Sequence, residues 1–88
     1  MPTISMFFGI IIHMYFAPGE HGVPHFHAYY NEYKATVDIH TCEVLACELP
    51  KRQARLVLAW AELHQDELMA NWKLVMNGED PFKIEPLK

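Results

Sequence analysis

Positive charge is scarce in this chain, which has 7 Lys and Arg residues against 11 Asp and Glu residues and a formal net charge of −4 when its histidines are neutral. Non-specific binding to a nucleic-acid backbone requires clustered Lys and Arg, so the composition argues against a broad basic surface. A small basic patch remains compatible with this composition. The chain also has six histidines, and protonation of several of them near pH 6 would cancel the negative charge.

Cysteine and long apolar runs are also scarce. Cys42 and Cys47 are the only cysteines, and a strand would direct them to opposite faces, which disfavours a disulfide or a shared metal ion. The run "FFGIIIHMYF" is too short and too rich in strand-forming residues for a membrane span, and the amino end lacks the basic region of a signal peptide. We therefore expect reduced thiols, a cytoplasmic location and no membrane partner.

The length of 88 residues allows one domain, 1–88, and a hydrophobic content of 51% is sufficient for a core. No repeat, linker or low-complexity segment interrupts the chain. Its composition divides it into a β-rich part (1–49), a helical part (50–78) and an irregular tail (79–88). Strands followed by a helix predict the α+β class with a small antiparallel sheet.

Two β-hairpins are predicted in the β-rich part. "TISMFF" and "IIIHMYF" flank a turn near Phe8 and Gly9, and both are rich in β-branched and aromatic residues. The second hairpin joins strands over 25–30 and 33–40. A further short strand over 43–49 is left open. The hairpins are expected to pack on a long C-terminal helix.

That helix is predicted from Lys51 to Asn77, with Pro50 at its start and Gly78 as its stop. A straight helix of this length would span roughly 40 Å, which is more than the width of so small a domain. A bend or break near residues 64–66 is therefore held open.

Apolar residues lie on two stripes of the predicted helix. The first is a core stripe, formed by Ala54, Val57, Leu58, Ala61, Leu68, Trp72, Val75 and Met76. The second lies on the opposite side and contains Leu56, Trp60, Leu63 and Leu74. Either the helix is buried deeply among the strands, or the second stripe is an interface with a second copy or with a partner protein.

The segment "EHGVPHFHAYYNEYKATVDIH", residues 20–40, contains four of the six histidines. If Asn31 and Glu32 form a two-residue turn, the apolar residues of both strands fall on one face, which specifies the register. The histidines then lie on the other face. The cross-strand pairs of that face are His25 with Asp38, His27 with Thr36 and Tyr29 with Lys34.

Three interpretations of this face remain open. In one, His25 and His27 project the same way and bind zinc or nickel, with His21 as third ligand and Asp38 as a further ligand or an orienting group. In the second no cofactor is present, which is our expectation, and His25, His27, Asp38 and Tyr29 form a catalytic set in which Asp38 orients His25 as general base. In the third, the imidazoles only form hydrogen bonds across strands.

Three basic residues, Lys51, Arg52 and Arg55, open the predicted helix. Positive charge at this end opposes the helix macrodipole, which indicates a contact with an anion or a phosphate group. A solvated helix face is the simpler alternative.

Four segments together carry a resemblance to a known family: "MPTISMFFGIIIHMYF", "EHGVPHFHAYYNEYKATVDI", "LPKRQARLVLAWAELHQDELMANW" and "KIEPL". They resemble family 4160 of the domains of unknown function, over nearly the whole chain. The resemblance implies a prokaryotic cytoplasmic protein, often encoded beside a second small protein as in toxin–antitoxin pairs. No reaction comes with the family. The sequence departs from the family pattern at Met6 and His13, where members often have Arg, and at Val23, where many have a second proline.

Two classes of function follow. The first is a toxin-like protein that acts on RNA through the histidine-bearing strand face and the basic start of the helix. The second is a non-catalytic interaction module or homodimer, with or without a metal ion on His25 and His27. The acidic balance favours the second class, and the clustered histidines favour the first.

Overall fold

The structure, a computed structural model, describes residues 3–14 and 23–87. It has the predicted α+β class, and the fifth strand is present. The elements in chain order are β1 (Thr3–Phe7), β2 (Ile10–His13), β3 (His25–Tyr30), β4 (Tyr33–Asp38), β5 (Val44–Cys47), α1 (Lys51–Leu63) and α2 (Gln65–Met76). The strands form one sheet in the order β1-β2-β3-β4-β5, and each is antiparallel to the next.

The first hairpin turns at Phe8 and Gly9, as predicted. Both residues have positive φ, 49° and 78°, and they join the paired positions Phe7 and Ile10. Two positive φ values in a two-residue loop define a type I′ turn, whose twist matches that of the flanking strands. Gly9 suits this position because glycine adopts positive φ without a steric penalty.

The register of the second hairpin is confirmed. His25 lies opposite Asp38, and Tyr30 lies opposite Tyr33. Asn31 takes a positive φ of 53° in the turn between them. β4 is shorter than predicted and ends at Asp38, because the Asp38 carboxylate accepts hydrogen bonds from the backbone N–H groups of residues 40 and 41 and starts a turn there.

The break in the predicted long helix is confirmed. α1 ends at Leu63 and α2 begins at Gln65, with His64 between them. The side chain of Gln65 fixes this corner to the end of β4, since its Nε2 donates to the carbonyls of residues 39 and 40 at 2.8 and 2.7 Å. Gly78 stops α2 with a φ of 76°, as predicted.

The core lies between the helices and one face of the sheet. The predicted core stripe is confirmed, because all of its members are buried or packed against the buried cluster. The sheet residues that complete the core are Ile4, Phe7, Ile10, Ile12, Phe26, Ala28, Ala35 and Val37.

The second helix stripe does not form the continuous exposed face from which a dimer interface was predicted. Trp60 is 0% exposed, and its Nε1–H donates to the Glu85 carbonyl at 2.8 Å. Leu56 packs against the core, and Leu74 is only partly exposed. Of the four residues only Leu63 is largely exposed, at 71%.

The tail (79–88) contacts the second stripe, where a partner protein was expected to bind. Buried Asn71 on α2 holds it through two hydrogen bonds, one to the Phe82 carbonyl and one from the Phe82 N–H. Further along, the Ile84 N–H donates to the Ile4 carbonyl of β1, and Ile84 is itself buried. The tail has no helix or strand over 79–87, but it closes the core between α1 and β1.

Candidate catalytic face of the sheet

The candidate site lies on the face of the sheet opposite the core, and alternation along the strands assembles it. We call it the histidine face and define it by His13, His25, His27, Tyr29, Lys34 and Thr36. The predicted pairs His27–Thr36 and Tyr29–Lys34 are present across β3 and β4. His13 of β2 lies opposite His27, so a third imidazole joins the face. The position of His13 on this face does not follow from the sequence pattern, because the pairing of β2 with β3 cannot be derived from the second hairpin alone.

The aromatic rings of this face are in contact with one another. The centroids of His25 and His27 are 5.1 Å apart in an edge-to-face arrangement. The Tyr29 ring lies 5.2 Å from His13 and 6.5 Å from His27. All four residues are partly buried. Half-burial restricts the rotamers of these rings while leaving part of each ring accessible.

His25 is oriented by the backbone before β3. Its Nδ1 lies 2.9 Å from the Val23 carbonyl oxygen, and its ring lies 5.2 Å from that of Trp72. A carbonyl oxygen only accepts hydrogen bonds, so Nδ1 carries the proton and Nε2 is the ring nitrogen left for a ligand or a substrate.

The expected orientation of His25 by Asp38 is not what the structure shows. The two residues are register partners, but the buried Asp38 carboxylate bonds to the backbone N–H groups of residues 40 and 41 at 2.8 and 3.2 Å. It therefore stabilises the turn after β4. Val23 takes the orienting role that was expected of Asp38.

Electrostatics keep His27 neutral. Burial lowers the pKa of His27 from the usual 6.5, and repulsion from Lys34, and from His25 and His13 when these are protonated, lowers this pKa further. The Thr36 hydroxyl lies 3.4 Å from its Nδ1. A histidine of this kind is a proton acceptor at neutral pH.

Burial also lowers the pKa of His13. Its Nε2 lies 3.2 Å from the Thr3 hydroxyl, and its buried Nδ1 has no hydrogen-bond partner in the described part of the chain. Desolvation of a ring with an unpaired nitrogen favours the neutral imidazole, so His13 also adds no positive charge at neutral pH.

The predicted anion-binding residues lie elsewhere. Lys51, Arg52 and Arg55 are exposed on the first turns of α1, and α1 packs on the core side of the sheet. The structure therefore does not bring these cations together with the histidines. Lys34, exposed and paired with Tyr29, is the cation of the histidine face, and sequence reasoning had not given it a role.

The predicted metal site is only partly described. His21 lies outside the described residues, while His25 and His27 are adjacent, as expected. Within residues 3–14 and 23–87, no group of three or more His, Cys, Asp or Glu side chains is arranged to hold a metal ion.

The model of a domain of unknown function, DUF4160, matches residues 9–73. The chain belongs to the DUF4160 family. The DUF4160 region runs from the first turn almost to the end of α2 and contains every residue of the histidine face. β1 and the tail lie outside it. No curated protein and no solved structure matches the chain.

Among the described residues, neither α1 nor α2 has the length and the apolar character needed to cross a bilayer.

Proposed function

We propose that this DUF4160 protein cleaves RNA on the histidine face and that His25 and His27 act as an acid–base pair. The observation that supports the proposal is the 5.1 Å separation of the two rings, beside a lysine and an aromatic side chain. Cleavage next to a ribose 2′-hydroxyl needs a base, an acid and a positive charge near the phosphate, and these residues supply all three.

The neutral His27 is assigned as the base, because burial and neighbouring positive charges lower its pKa. It takes the proton of the 2′-hydroxyl while the 2′-oxygen bonds to phosphorus. The bond from phosphorus to the 5′-oxygen breaks, and the protonated His25 gives its Nε2 proton to that leaving oxygen. The products are a 2′,3′-cyclic phosphate and a 5′-hydroxyl end, so atoms and charge balance.

Lys34 and Tyr29 are assigned to substrate binding. The Lys34 ammonium attracts the phosphate, and the Tyr29 ring offers a surface on which a base stacks. Lys34 thus attracts the RNA locally, although the net charge of the whole chain is −4. In line with the family resemblance, we assign the protein to the toxin-like side of a gene pair, where RNA cleavage would arrest growth in the absence of its partner.

The test is cleavage of a single-stranded RNA, labelled at both ends, in buffer containing EDTA. We expect a cyclic-phosphate product and no cleavage of the matching DNA, which lacks the 2′-hydroxyl. His25→Ala and His27→Ala should each reduce the rate by at least about 100-fold. His40→Ala is the matched control, because His40 is exposed and lies in the turn after β4, and it should cleave like the parent.

Growth measurements with and without the neighbouring gene extend the test to cells. Expression of the parent alone should arrest growth, and expression of His25→Ala should not. Equal cleavage, or equal arrest, by parent and histidine variants would rule out the catalytic assignment.

A further inference from the structure

Three side chains with apolar surface form a row beside the histidines, on the same face of the sheet. Met6 of β1 lies directly opposite Ile11 of β2, and Ile11 lies directly opposite Tyr29 of β3. Directly opposite residues of paired strands project to the same side of a sheet. We call these three residues the apolar row. The irregularity in the β1–β2 pairing lies between Thr3 and Ser5, so it does not disturb the row.

The apolar row is accessible, unlike the apolar side chains that alternate with it. Ile10 and Ile12, on either side of Ile11, are 0% exposed because they face the core. Met6 is 59% exposed, and Ile11 and Tyr29 are half-buried. Neighbouring strands are about 4.8 Å apart, so a row across three strands spans about 10 Å, which is long enough to lie under a nucleobase.

The order of the side chains along β3 gives a bound RNA a direction. His25, His27 and Tyr29 alternate with core residues and therefore follow one another on one face. In the proposed reaction His27 deprotonates the 2′-hydroxyl, which belongs to the nucleotide on the 5′ side of the cleaved bond. His25 protonates the leaving oxygen, which belongs to the nucleotide on the 3′ side. The 5′ nucleotide therefore lies on the Tyr29 side of His27, over the apolar row.

The surface beyond His25, where the 3′ nucleotide lies, has a different character. The Trp72 ring is 5.2 Å from the His25 ring, but Trp72 is only 9% exposed, so it offers little surface for stacking. Asp38 lies opposite His25, and its negative charge repels a phosphate group. The two sides of the cleaved bond thus meet unlike surfaces, and only the 5′ side meets an accessible apolar one.

We propose that the apolar row binds the base on the 5′ side of the cleaved bond and favours a purine there. The base stacks on the Tyr29 ring and makes apolar contacts with Ile11 and Met6. A purine has the larger ring system and covers more of the row than a pyrimidine does. The inference rests on the proposed RNA cleavage, to which it adds the direction and the base preference of the substrate.

Substrates with a single cleavable bond test this assignment. Each is a DNA strand with one ribonucleotide, so that only the bond on the 3′ side of that ribose can be cleaved, and kcat/KM is measured. Removal of the base from the ribonucleotide should lower kcat/KM about 10-fold, whereas removal of the base from its 3′ neighbour should lower it less than about 2-fold. Adenine or guanine on the ribonucleotide should give a kcat/KM about 3-fold higher than cytosine or uracil.

Variants of the apolar row should act only through the base. For the adenine substrate, Tyr29→Leu should lower kcat/KM about 10-fold and Met6→Thr about 3-fold, and neither should change kcat/KM for the substrate without a base on the ribonucleotide. Damage to the fold or to the histidine pair would lower both values. Leu45→Thr is the matched control, because Leu45 is also an exposed apolar residue, at 52%, on the opposite edge strand β5. It should cleave both substrates like the parent.

A non-cleavable ligand locates the base directly. An adenine tetranucleotide with 2′-O-methyl groups, titrated into the full chain, should shift the methyl NMR signal of Met6 and leave that of Met14, which is buried in the core. Cleavage that does not depend on the 5′ base, or an unshifted Met6 signal, would overturn this inference and leave the histidine pair in place. Absence of RNA cleavage by the parent would overturn both proposals.

Discussion

The buried side chains of Asn71 and Asp38 hold backbone segments, and half-buried histidines form the candidate site. Asn71 is 0% exposed and bonds both backbone groups of Phe82. Asp38, also buried, bonds two turn amides. Their hydrogen-bonding capacity is used inside the fold. The rings of His25 and His27 remain partly accessible, which is why chemistry is assigned to them.

The two histidines with lowered pKa values predict how stability depends on pH. Burial lowers the pKa of His27 and of His13 below 6.5 in the folded protein. Below about pH 6.5 the unfolded chain therefore binds more protons than the folded chain, and the free energy of unfolding falls as the pH decreases. Urea unfolding between about pH 8 and pH 5 measures this slope.

A variant with both His13→Gln and His27→Gln should show a smaller decrease over the acidic part of that range. Above about pH 7.5 the two histidines are neutral in both states, so parent and variant curves should run parallel there, which serves as the internal control. Equal acidic slopes would contradict the assignment of lowered pKa values.

At the scale of elements, the ends of strands and helices are set by capping contacts. β4 ends where Asp38 accepts backbone N–H groups, and α2 ends where Gly78 takes a positive φ. The helix break is fixed by Gln65, which reaches the carbonyls of residues 39 and 40. The end of β4 and the start of α2 therefore stabilise one another.

The Asp38 cap can be tested separately from catalysis. Asp38→Ala leaves two turn amides without their acceptor and should lower the free energy of unfolding by about 1–2 kcal/mol. Asp38→Asn keeps an acceptor oxygen and should cost less. Urea unfolding gives both values.

Both Asp38 variants should cleave RNA at the parental rate under conditions where they are folded, because Val23 and not Asp38 orients His25. A large loss of cleavage by a folded Asp38→Asn variant would return Asp38 to the catalytic set.

At the scale of the whole molecule, the chain's own tail covers part of the surface where a dimer interface was expected. Its radius of gyration of 11.8 Å is close to the roughly 12 Å expected for a compact chain of this length. Trp60 is buried by the chain's own tail, so no second copy is needed to cover it.

We therefore expect a monomer of 10.2 kDa in light scattering at micromolar concentration. Leu63→Lys alters the most exposed residue of the second stripe and should leave the measured mass unchanged. A dimer that this substitution dissociates would restore an interface on the helix.

The sequence by itself determined the local features. Period-two alternation predicted the β3–β4 register and the histidine face, because a shift by one residue would turn every apolar side chain to solvent. Gly9, Pro50 and Gly78 marked a turn, a helix start and a helix end, since each favours a restricted range of backbone angles or lacks a backbone donor.

The tertiary structure alone decided the long-range features. It placed His13 beside His27, turned Asp38 to the following loop and separated the helix cations from the histidines, because side-chain partners depend on elements distant in sequence. Most importantly, it packs the tail against Trp60, so that a residue expected at an interface lies in the core. Hydrophobic periodicity indicates which residues prefer burial, but it does not indicate which part of the structure covers them.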